Sequence, residues 1–173
     1  MRHPAGQPTS PDACGNARRL VTDGMSKFRI DTLDTTSEVL LDSCAKLIAN
    51  AFADPERYNM DRIRRELCCD DPVFYRRFFI AIENGQIIAL GGVKAADWAS
   101  RTHILYLSAV VPEKRGRGIG RALIKARLDW LKATFKSGRI LVSATKTRRF
   151  RDLGFRELRN GHIDGKHLML ARF

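Results

Sequence analysis

The stretch from Ser108 to Arg121 constrains the fold of this chain most strongly. It runs from an apolar strand pattern through a glycine-rich loop into the start of a helix. Gly116, Gly118 and Gly120 leave every second position of this loop without a side chain, so successive backbone N–H groups can converge on an anion. The helix that follows directs the positive end of its dipole at the same point. The sequence therefore predicts a diphosphate-binding loop.

The spacing of this loop excludes two well-known phosphate-binding motifs. A dinucleotide fingerprint requires Gly-x-Gly-x-x-Gly, but Arg121 stands at the third glycine position, and the Gly-Lys-Ser/Thr of a P-loop is missing. The pattern that remains is Arg-x-x-Gly-x-Gly, in which Arg115, Arg117 and Arg121 add charge-assisted donors. Two other interpretations stay open at this point: a basic loop for nucleic acid and a glycine-rich turn without a ligand.

The length and charge of the chain favour one basic domain. A chain of 173 residues can bury a stable core without disulfides, and its 31 Lys and Arg against 19 acids give a net charge of +12. Between Lys114 and Arg151 there are thirteen bases and one acid, Asp129. This excess surrounds the predicted loop and would attract a ligand with several phosphate groups, although most of the charges are predicted to form a solvated face.

The four cysteines, Cys14, Cys44, Cys68 and Cys69, have neither Cys-x-x-Cys spacing nor the density of a disulfide framework. This usage favours a reducing compartment, with Cys44 as a core residue and no metal site. No apolar run approaches the ~20 residues of a transmembrane helix, and the N-terminus lacks an apolar signal core, so we expect a cytoplasmic protein. Residues 1–26 show no structural period and are expected to be a disordered tail or a start extension before the domain at 27–173.

Hydrophobic periodicity and turn residues predict an alternation of strands and helices along residues 27–173. The predicted elements are a strand at 27–33, a helix ending near Phe52, a helix at 59–67, a hairpin about Asn84-Gly85, a strand at 103–111, a helix from Ile119 to about Lys136, a strand at 140–142, a basic helix at 147–153 and a closing hairpin that turns near Asn160-Gly161.

This element order resembles that of the GNAT acyltransferase superfamily, and the resemblance covers residues 27–173. Its strongest motif is a strand ending in Val-x-Pro before Arg-x-x-Gly-x-Gly, matched by Val110, Pro112, Arg115, Gly118 and Gly120. The resemblance implies an α/β (α+β) fold with a central mixed, twisted sheet of about six to seven strands flanked by about four helices. It also implies that acetyl-CoA is the co-substrate, held where the strand ending at Val110 parts from the parallel strand at 140–142.

The resemblance further implies which groups hold acetyl-CoA. Backbone groups around Ala109 and Val110 would bond the pantetheine arm, and the loop would bind the diphosphate. The loop residues concerned are Arg115, Gly116, Arg117, Gly118, Ile119, Gly120 and Arg121. The implied activity is N-acetylation of a primary amine on an unidentified small molecule, peptide or protein. Neither a metal nor a membrane or nucleic-acid partner is expected, and the chain would be a monomer or homodimer.

Two positions depart from the family pattern and leave the proton transfers unassigned. The tyrosine that usually protonates the leaving thiolate, four residues before the Gly154-Phe155 pair, is Phe150 here. The frequent asparagine between the preceding strand and that helix is also missing, since residues 143–149 contain no Asn. Tyr106 or a water molecule could replace the donor, and strand alternation predicts that Tyr106 faces the same side as Ser108 and Val110.

Other polar residues are weaker candidates. His103 and Glu83 are predicted to be solvated strand-end residues rather than bases, and His162 and His167 fall in the closing hairpin. By the resemblance, the loop after the first helix borders the acceptor pocket. Its Asp54, Glu56 and Tyr58 could contact an amine or could be ordinary solvated loop residues. An alternative function also stays open: a GNAT-fold protein that has lost turnover and binds acyl-CoA or nucleic acid.

Overall fold

A computed structural model of the chain describes residues 28–52, 54–68 and 74–173. Its elements in chain order are β1 (Arg29–Thr32), α1 (Glu38–Phe52), α2 (Met60–Leu67), β2 (Arg76–Glu83), β3 (Gln86–Ala95), β4 (Thr102–Val110), α3 (Ile119–Thr134), β5 (Arg139–Ala144), α4 (Arg148–Arg151), β6 (Arg156–Ile163) and β7 (Lys166–Arg172). The predicted tail at 1–26 lies outside the described residues. In the described part of the chain, no helix combines the length and apolar character needed to cross a membrane.

The strands form one seven-stranded sheet in the order β1-β2-β3-β4-β5-β7-β6. β4 and β5 are its parallel pair, and the neighbouring pairs are antiparallel. The described residues also form four α-helices, which confirms the predicted fold class, a mixed sheet of six to seven strands flanked by about four helices.

Both faces of the sheet are buried. Phe79 packs in the cluster around α3, whereas its neighbours Phe78 and Ile80 pack in the cluster around α1 and α2, as the period of two requires. Cys44 lies fully buried in the second cluster, where burial raises the pKa of its thiol to about 12. The prediction that Cys44 is a core residue is therefore confirmed.

The predicted hairpin at Asn84-Gly85 is confirmed. Both residues have positive φ, 50° and 78°, which a tight two-residue turn requires and which Asn and Gly adopt most readily. This turn joins β2 to β3 and sets the register in which Glu83 faces Gln86.

The predicted turn of the closing hairpin is wrong. The chain reverses at Asp164-Gly165, between β6 and β7, whereas Asn160-Gly161 lies within β6 where the pairing register shifts. Both dipeptides carry the same local turn signal, and the pairing of β6 with β7 decides which one closes the hairpin.

A β-bulge in β4 overturns the predicted direction of Tyr106. Ala109 pairs with Leu90 and Tyr106 pairs with Gly92, so β4 has one more residue than β3 between these two pairs. Leu107 lies in this interval with a φ of 43°. The bulge breaks the alternation of side chains, so Tyr106 faces the α1 cluster while Ser108 contacts α3. Tyr106 and Ser108 therefore lie on opposite faces of the sheet.

β4 and β5 part in the middle of the sheet. They pair only from Thr102–Arg139 to Leu105–Val142, after which β4 continues along β3 and β5 continues along β7. The opening between the second half of β4 and the end of β5 is called the wedge below.

Candidate functional site

The glycine-rich loop enters α3 through two left-handed residues. Gly116 and Gly118 have φ of 80° and 79°, and a Cβ built on either would meet no atom within 4 Å. Backbone conformation rather than crowding therefore favours glycine at both positions, and the space beside them is open. Gly120 differs because it lies inside α3, and its Cβ would make ordinary contacts with Val110 and Arg149 at 3.8 and 3.7 Å.

The first turn of α3 presents free backbone donors next to this loop. Gly118 is the N-cap, and the first intrahelical bond runs from the Ala122 N–H to the Gly118 carbonyl at 3.0 Å. The N–H groups of Ile119, Gly120 and Arg121 precede that bond and have no acceptor within the helix. No acid occupies this turn of the 16-residue helix, so its positive dipole end is not neutralised locally.

The three loop arginines have different environments. Arg115 is exposed and donates from Nε to the Val110 carbonyl at 3.1 Å, and Arg121 is exposed with Asp152 at 3.8 Å. Arg117 instead forms a two-point ion pair with Glu83, with distances of 2.6 and 3.2 Å. The Arg117 side chain is thus engaged within the protein, and its backbone N–H remains the donor that the loop pattern indicates.

Glu83 anchors the loop to the end of β2. Its carboxylate is 5% exposed and contacts Lys114 Nζ at 2.5 Å as well as Arg117. Hydrogen bonds from Arg117 and then Lys114 lower the pKa of Glu83 to about 2, so it is ionised at neutral pH and is a poor general base. The expectation of a solvated residue is wrong, because the ion pairs connect segments more than thirty residues apart.

A cavity of about 240 Å³ occupies the wedge. Its wall comes from Leu90 on β3, the end of β4, the loop, α3 as far as Arg127, α4 and the end of α1, and none of the lining residues belongs to β5. Of the predicted cofactor-binding residues, it includes Ala109, Val110, Arg115 and Gly120. The Val111 N–H donates to the Ile88 carbonyl on β3, so the backbone of the preceding residue, Val110, faces the wedge. The other predicted residues lie in the loop and at the start of α3 and do not line the cavity, and the Ile119 side chain is buried in the core. They are Gly116, Arg117, Gly118, Ile119 and Arg121.

Arg127 is a fully buried base in the wall of this cavity. Its side chain is 1% exposed, and burial, with repulsion from Arg149, lowers its pKa to about 9. Arg127 is one of the thirteen bases between Lys114 and Arg151, most of which are predicted to form a solvated face, and its burial makes it an exception. A signal was present, since Arg127 lies four residues from both Leu123 and Leu131 on the buried stripe of α3.

The cavity wall supplies few groups for proton transfer. Phe150 forms part of it, and among the described residues that line the cavity there is no carboxylate, His, Cys or Tyr. Tyr106 lies on the other face of β4. His103 is buried at the far end of the same strand, where Tyr75 Oη is 2.6 Å from Nδ1 and burial lowers the pKa of the imidazole. His103 is therefore buried, and the prediction that it is a solvated strand-end residue is wrong.

The loop after α1 reaches the cavity through an aromatic pair. Tyr58 stacks on Phe52 with ring centroids 4.4 Å apart, and Phe52 lines the cavity. Asp54 accepts a bond from the Arg57 N–H at 3.0 Å within its own turn, and Glu56 is exposed. Of the three candidate acceptor contacts, Tyr58 is thus the one packed against the cavity wall.

The remaining histidines lie outside the wedge. His162 and His167 have ring centroids 4.6 Å apart in the closing hairpin, and His167 Nδ1 pairs with Glu157. The hydrogen bond with His167 has the largest effect among the contacts that lower the pKa of Glu157. No cluster of three or more His, Cys, Asp or Glu side chains suited to a metal ion occurs within the described ranges.

A sheet that opens at its parallel pair, with a glycine-rich helix start at the opening, defines the class of this protein. Residues 41–155 match the family model described as the acetyltransferase (GNAT) family. The chain belongs to that family, and acetyl transfer is its general activity. No curated protein matches the sequence significantly.

Solved structures with the same fold share little sequence with this chain. An acyl-CoA N-acyltransferase from Pseudomonas aeruginosa has a TM-score of 0.67 at 13% identity, covering 83% of this chain and 98% of that one. A PaiA N-acetyltransferase from Thermoplasma acidophilum in complex with coenzyme A has a TM-score of 0.64 at 14% identity, covering 86% and 100%. The ribosomal-protein-S18-alanine N-acetyltransferase from Escherichia coli has a TM-score of 0.61 at 17% identity, covering 84% and 92%.

Proposed function

We propose that this protein transfers the acetyl group of acetyl-CoA to a primary amine on a small molecule, peptide or protein. The observation that carries the proposal is that the start of α3, with its free N–H groups, adjoins a cavity beside the part of β4 that has left β5. A diphosphate at that helix start and a pantetheine arm in the wedge would use both features. Family membership supports the acetyl group as the cargo.

The diphosphate and the pantetheine arm of the coenzyme have matching groups on the chain. The N–H groups from Gly116 to Arg121 would bind the diphosphate, which is favoured by the helix dipole and by the exposed guanidinium of Arg115. The Arg115 N–H itself donates to the Pro112 carbonyl at 3.2 Å. The backbone of Val110, which faces the wedge, would hydrogen-bond the pantetheine amides as an added strand, with Ala109 beside it. Arg117 would contribute its backbone while Glu83 holds its side chain.

The chemistry requires no nucleophile from the protein. The nitrogen of the amine forms a bond to the thioester carbonyl carbon, the C–S bond breaks, and the electron pair leaves on sulfur. The nitrogen gives up a proton and the thiolate takes one. Because the described cavity wall offers no carboxylate, His, Cys or Tyr, water carries both protons. The rate gain then comes mainly from holding the two reactants together, which can contribute as much as roughly 7–11 kcal/mol.

A second candidate function is a non-catalytic GNAT-fold protein that binds acyl-CoA or nucleic acid. Two observations favour it: the Phe150 ring in the wall where the family usually has a tyrosine, and the basic segment from Lys114 to Arg151. Nucleic-acid binding through that segment would weaken steeply with salt, whatever the base sequence.

Incubation of the protein with acetyl-CoA and panels of amines and peptides separates the two functions. The proposal predicts acetylated products, detected by mass, together with release of free thiol in equal amount. Thiol release without an acetylated product would be hydrolysis. Binding of acetyl-CoA without turnover, or salt-sensitive binding of oligonucleotides alone, would support the second function instead.

A further inference from the structure

Arg127 lies deep in the wedge. It follows the first residue of α3 by eight positions, or roughly 12 Å along the helix axis at the usual rise. Its guanidinium packs against β3, where a Cβ on Gly91 would lie 2.9 Å from the Arg127 Cζ atom. The glycine at position 91 therefore leaves the room that this buried cation occupies.

The contacts of Arg127 leave its charge without a counter-ion. Nε donates to the Leu123 carbonyl at 3.0 Å. Nη1 donates to the Gly92 carbonyl at 3.0 Å and to Ser108 Oγ at 2.8 Å. All three acceptors are neutral. Across the described residues, no carboxylate lies within 4.0 Å of Arg127, and Nη2 has no acceptor.

A buried charge without a counter-charge is costly, and in proteins such charges are normally paired. Arg149, another base in the cavity wall, increases the cost because its charge repels that of Arg127. The cavity wall thus contains three arginines, Arg115, Arg127 and Arg149, and no described anion. Nη2 of the fully buried Arg127 donates to no described acceptor. This is the environment that a ligand carboxylate would complete, since a charge-assisted hydrogen bond from Nη2 would give the buried cation a counter-charge.

We propose that Arg127 binds the carboxylate of the acyl group on the donor, so that the thioesters used in this wedge include ω-carboxyacyl-CoA compounds such as succinyl-CoA. The inference rests on the proposed function, because it takes the wedge as the coenzyme site. The loop and α3 line the same cavity, so a coenzyme bound at the helix start would extend its acyl end inward along α3, towards Arg127. Transfer proceeds as for acetyl: nitrogen bonds the carbonyl carbon, the C–S pair leaves on sulfur, and the distant carboxylate is unchanged.

The test compares two donors of equal chain length. Succinyl-CoA and butyryl-CoA differ in that a terminal carboxylate replaces a methyl group, and calorimetry gives the ratio of their dissociation constants. We expect the wild-type protein to bind succinyl-CoA roughly tenfold or more tightly than butyryl-CoA. Arg127→Met should abolish that preference, and Arg127→Lys should leave an intermediate ratio because it keeps the charge but lacks the guanidinium Nη2 donor. Lys132→Met, an exposed base on the same helix, should keep the wild-type ratio.

Two results would overturn the inference: a wild-type protein that binds both thioesters equally, or an Arg127→Met protein that keeps the preference for succinyl-CoA. Melting temperatures identify a variant that fails to fold, and Arg127→Lys then decides the outcome, because an unchanged ratio in that variant contradicts a contact that requires the guanidinium. Acetyl-CoA serves as the reference. If acetyl-CoA binds and succinyl-CoA gains nothing, the inference alone fails, whereas if no thioester binds, the proposed function fails with it.

Discussion

Glu83 links the end of β2 to the loop that precedes α3, and its effect on stability should depend on pH. Its folded pKa of about 2 lies below the ordinary value of 4.5. A carboxyl with a lowered folded pKa stabilises the fold above its unfolded pKa, and this contribution is lost as the pH falls towards the folded pKa. The same ion pairs hold Lys114 and Arg117 in place, so the loop and the fold are coupled through one side chain.

We therefore expect Glu83→Gln to lower the melting temperature at pH 7 and the affinity for acetyl-CoA together. The difference in melting temperature between wild type and variant should shrink as the pH falls from about 4.5 to about 2, the two values between which the wild-type carboxylate loses its advantage. Thermal scans at several pH values check this. A difference that stays constant over that range would show that the ion pairs do not stabilise the fold.

Substitutions at Phe150 and Tyr106 distinguish water from Tyr106 as the source of the proton that the leaving thiolate takes up. Phe150 lines the cavity, and Tyr106 lies on the opposite face of β4, against Phe78. If water is the donor, Tyr106→Phe should leave kcat near the wild-type value, and Phe150→Tyr should be neutral or mildly activating because it adds a donor to the wall. Single-turnover rates with an identified acceptor measure both. A loss of roughly 10²–10⁴ in Tyr106→Phe would instead identify Tyr106 as a general acid.

Among the elements, the loop and α3 depend on the left-handed residue at the N-cap, and the chain offers a matched control. Gly118 and Gly85 have nearly equal φ, 79° and 78°, and a Cβ on either meets nothing within 4 Å. Gly118→Ala and Gly85→Ala should therefore each cost about 1–2 kcal/mol of stability through backbone strain alone. Only Gly118 adjoins the proposed diphosphate site.

Calorimetry with acetyl-CoA should accordingly show a large loss of affinity in Gly118→Ala and wild-type affinity in Gly85→Ala. Denaturant melts of both variants check that their stabilities fall by similar amounts. Equal affinities in the two variants would show that the diphosphate does not bind at this helix start, whatever the effect on folding.

Elements with strong local signals could be predicted from the sequence. The apolar stripe of α3 and the Asn84-Gly85 turn depend on residues close together in the chain, and both are present as predicted. The bulge in β4 could not be predicted, because Leu107 adopts φ 43° without the glycine that usually marks such a site. The bulge reverses the face to which the Tyr106 side chain points, so the predicted direction of Tyr106 was wrong.

Within the site, the loop could be predicted and the inner wall could not. The glycines of the loop adopt their conformations through local backbone geometry, which the spacing reveals. Glu83 and Arg127 depend on partners far along the chain, at Arg117 and Gly92, and a charged residue in isolation indicates a solvated surface. The packing of α3 against β3 decides that Arg127 is buried.

On the scale of the whole molecule, the described sheet and helices form the site from residues 51 to 150. Deletion of residues 1–24, so that Met25 starts the chain, is predicted to leave the melting temperature and the affinity for acetyl-CoA nearly unchanged, because the tail composition offers little apolar surface to bury. Thermal shifts of the two forms with and without acetyl-CoA measure this. A large fall in melting temperature or solubility would mean that the tail packs on the domain.

The central claim is that acetyl-CoA binds in the wedge with its diphosphate at the start of α3. Amide hydrogen exchange with and without saturating acetyl-CoA tests it most directly, because the proposed ligand bonds occupy backbone N–H groups. We expect slower exchange in peptides that cover Val110 and residues 115–121, with little change in the β6–β7 hairpin. Unchanged exchange at residues 115–121 while acetyl-CoA is bound, or protection confined to another part of the sheet, would contradict the claim.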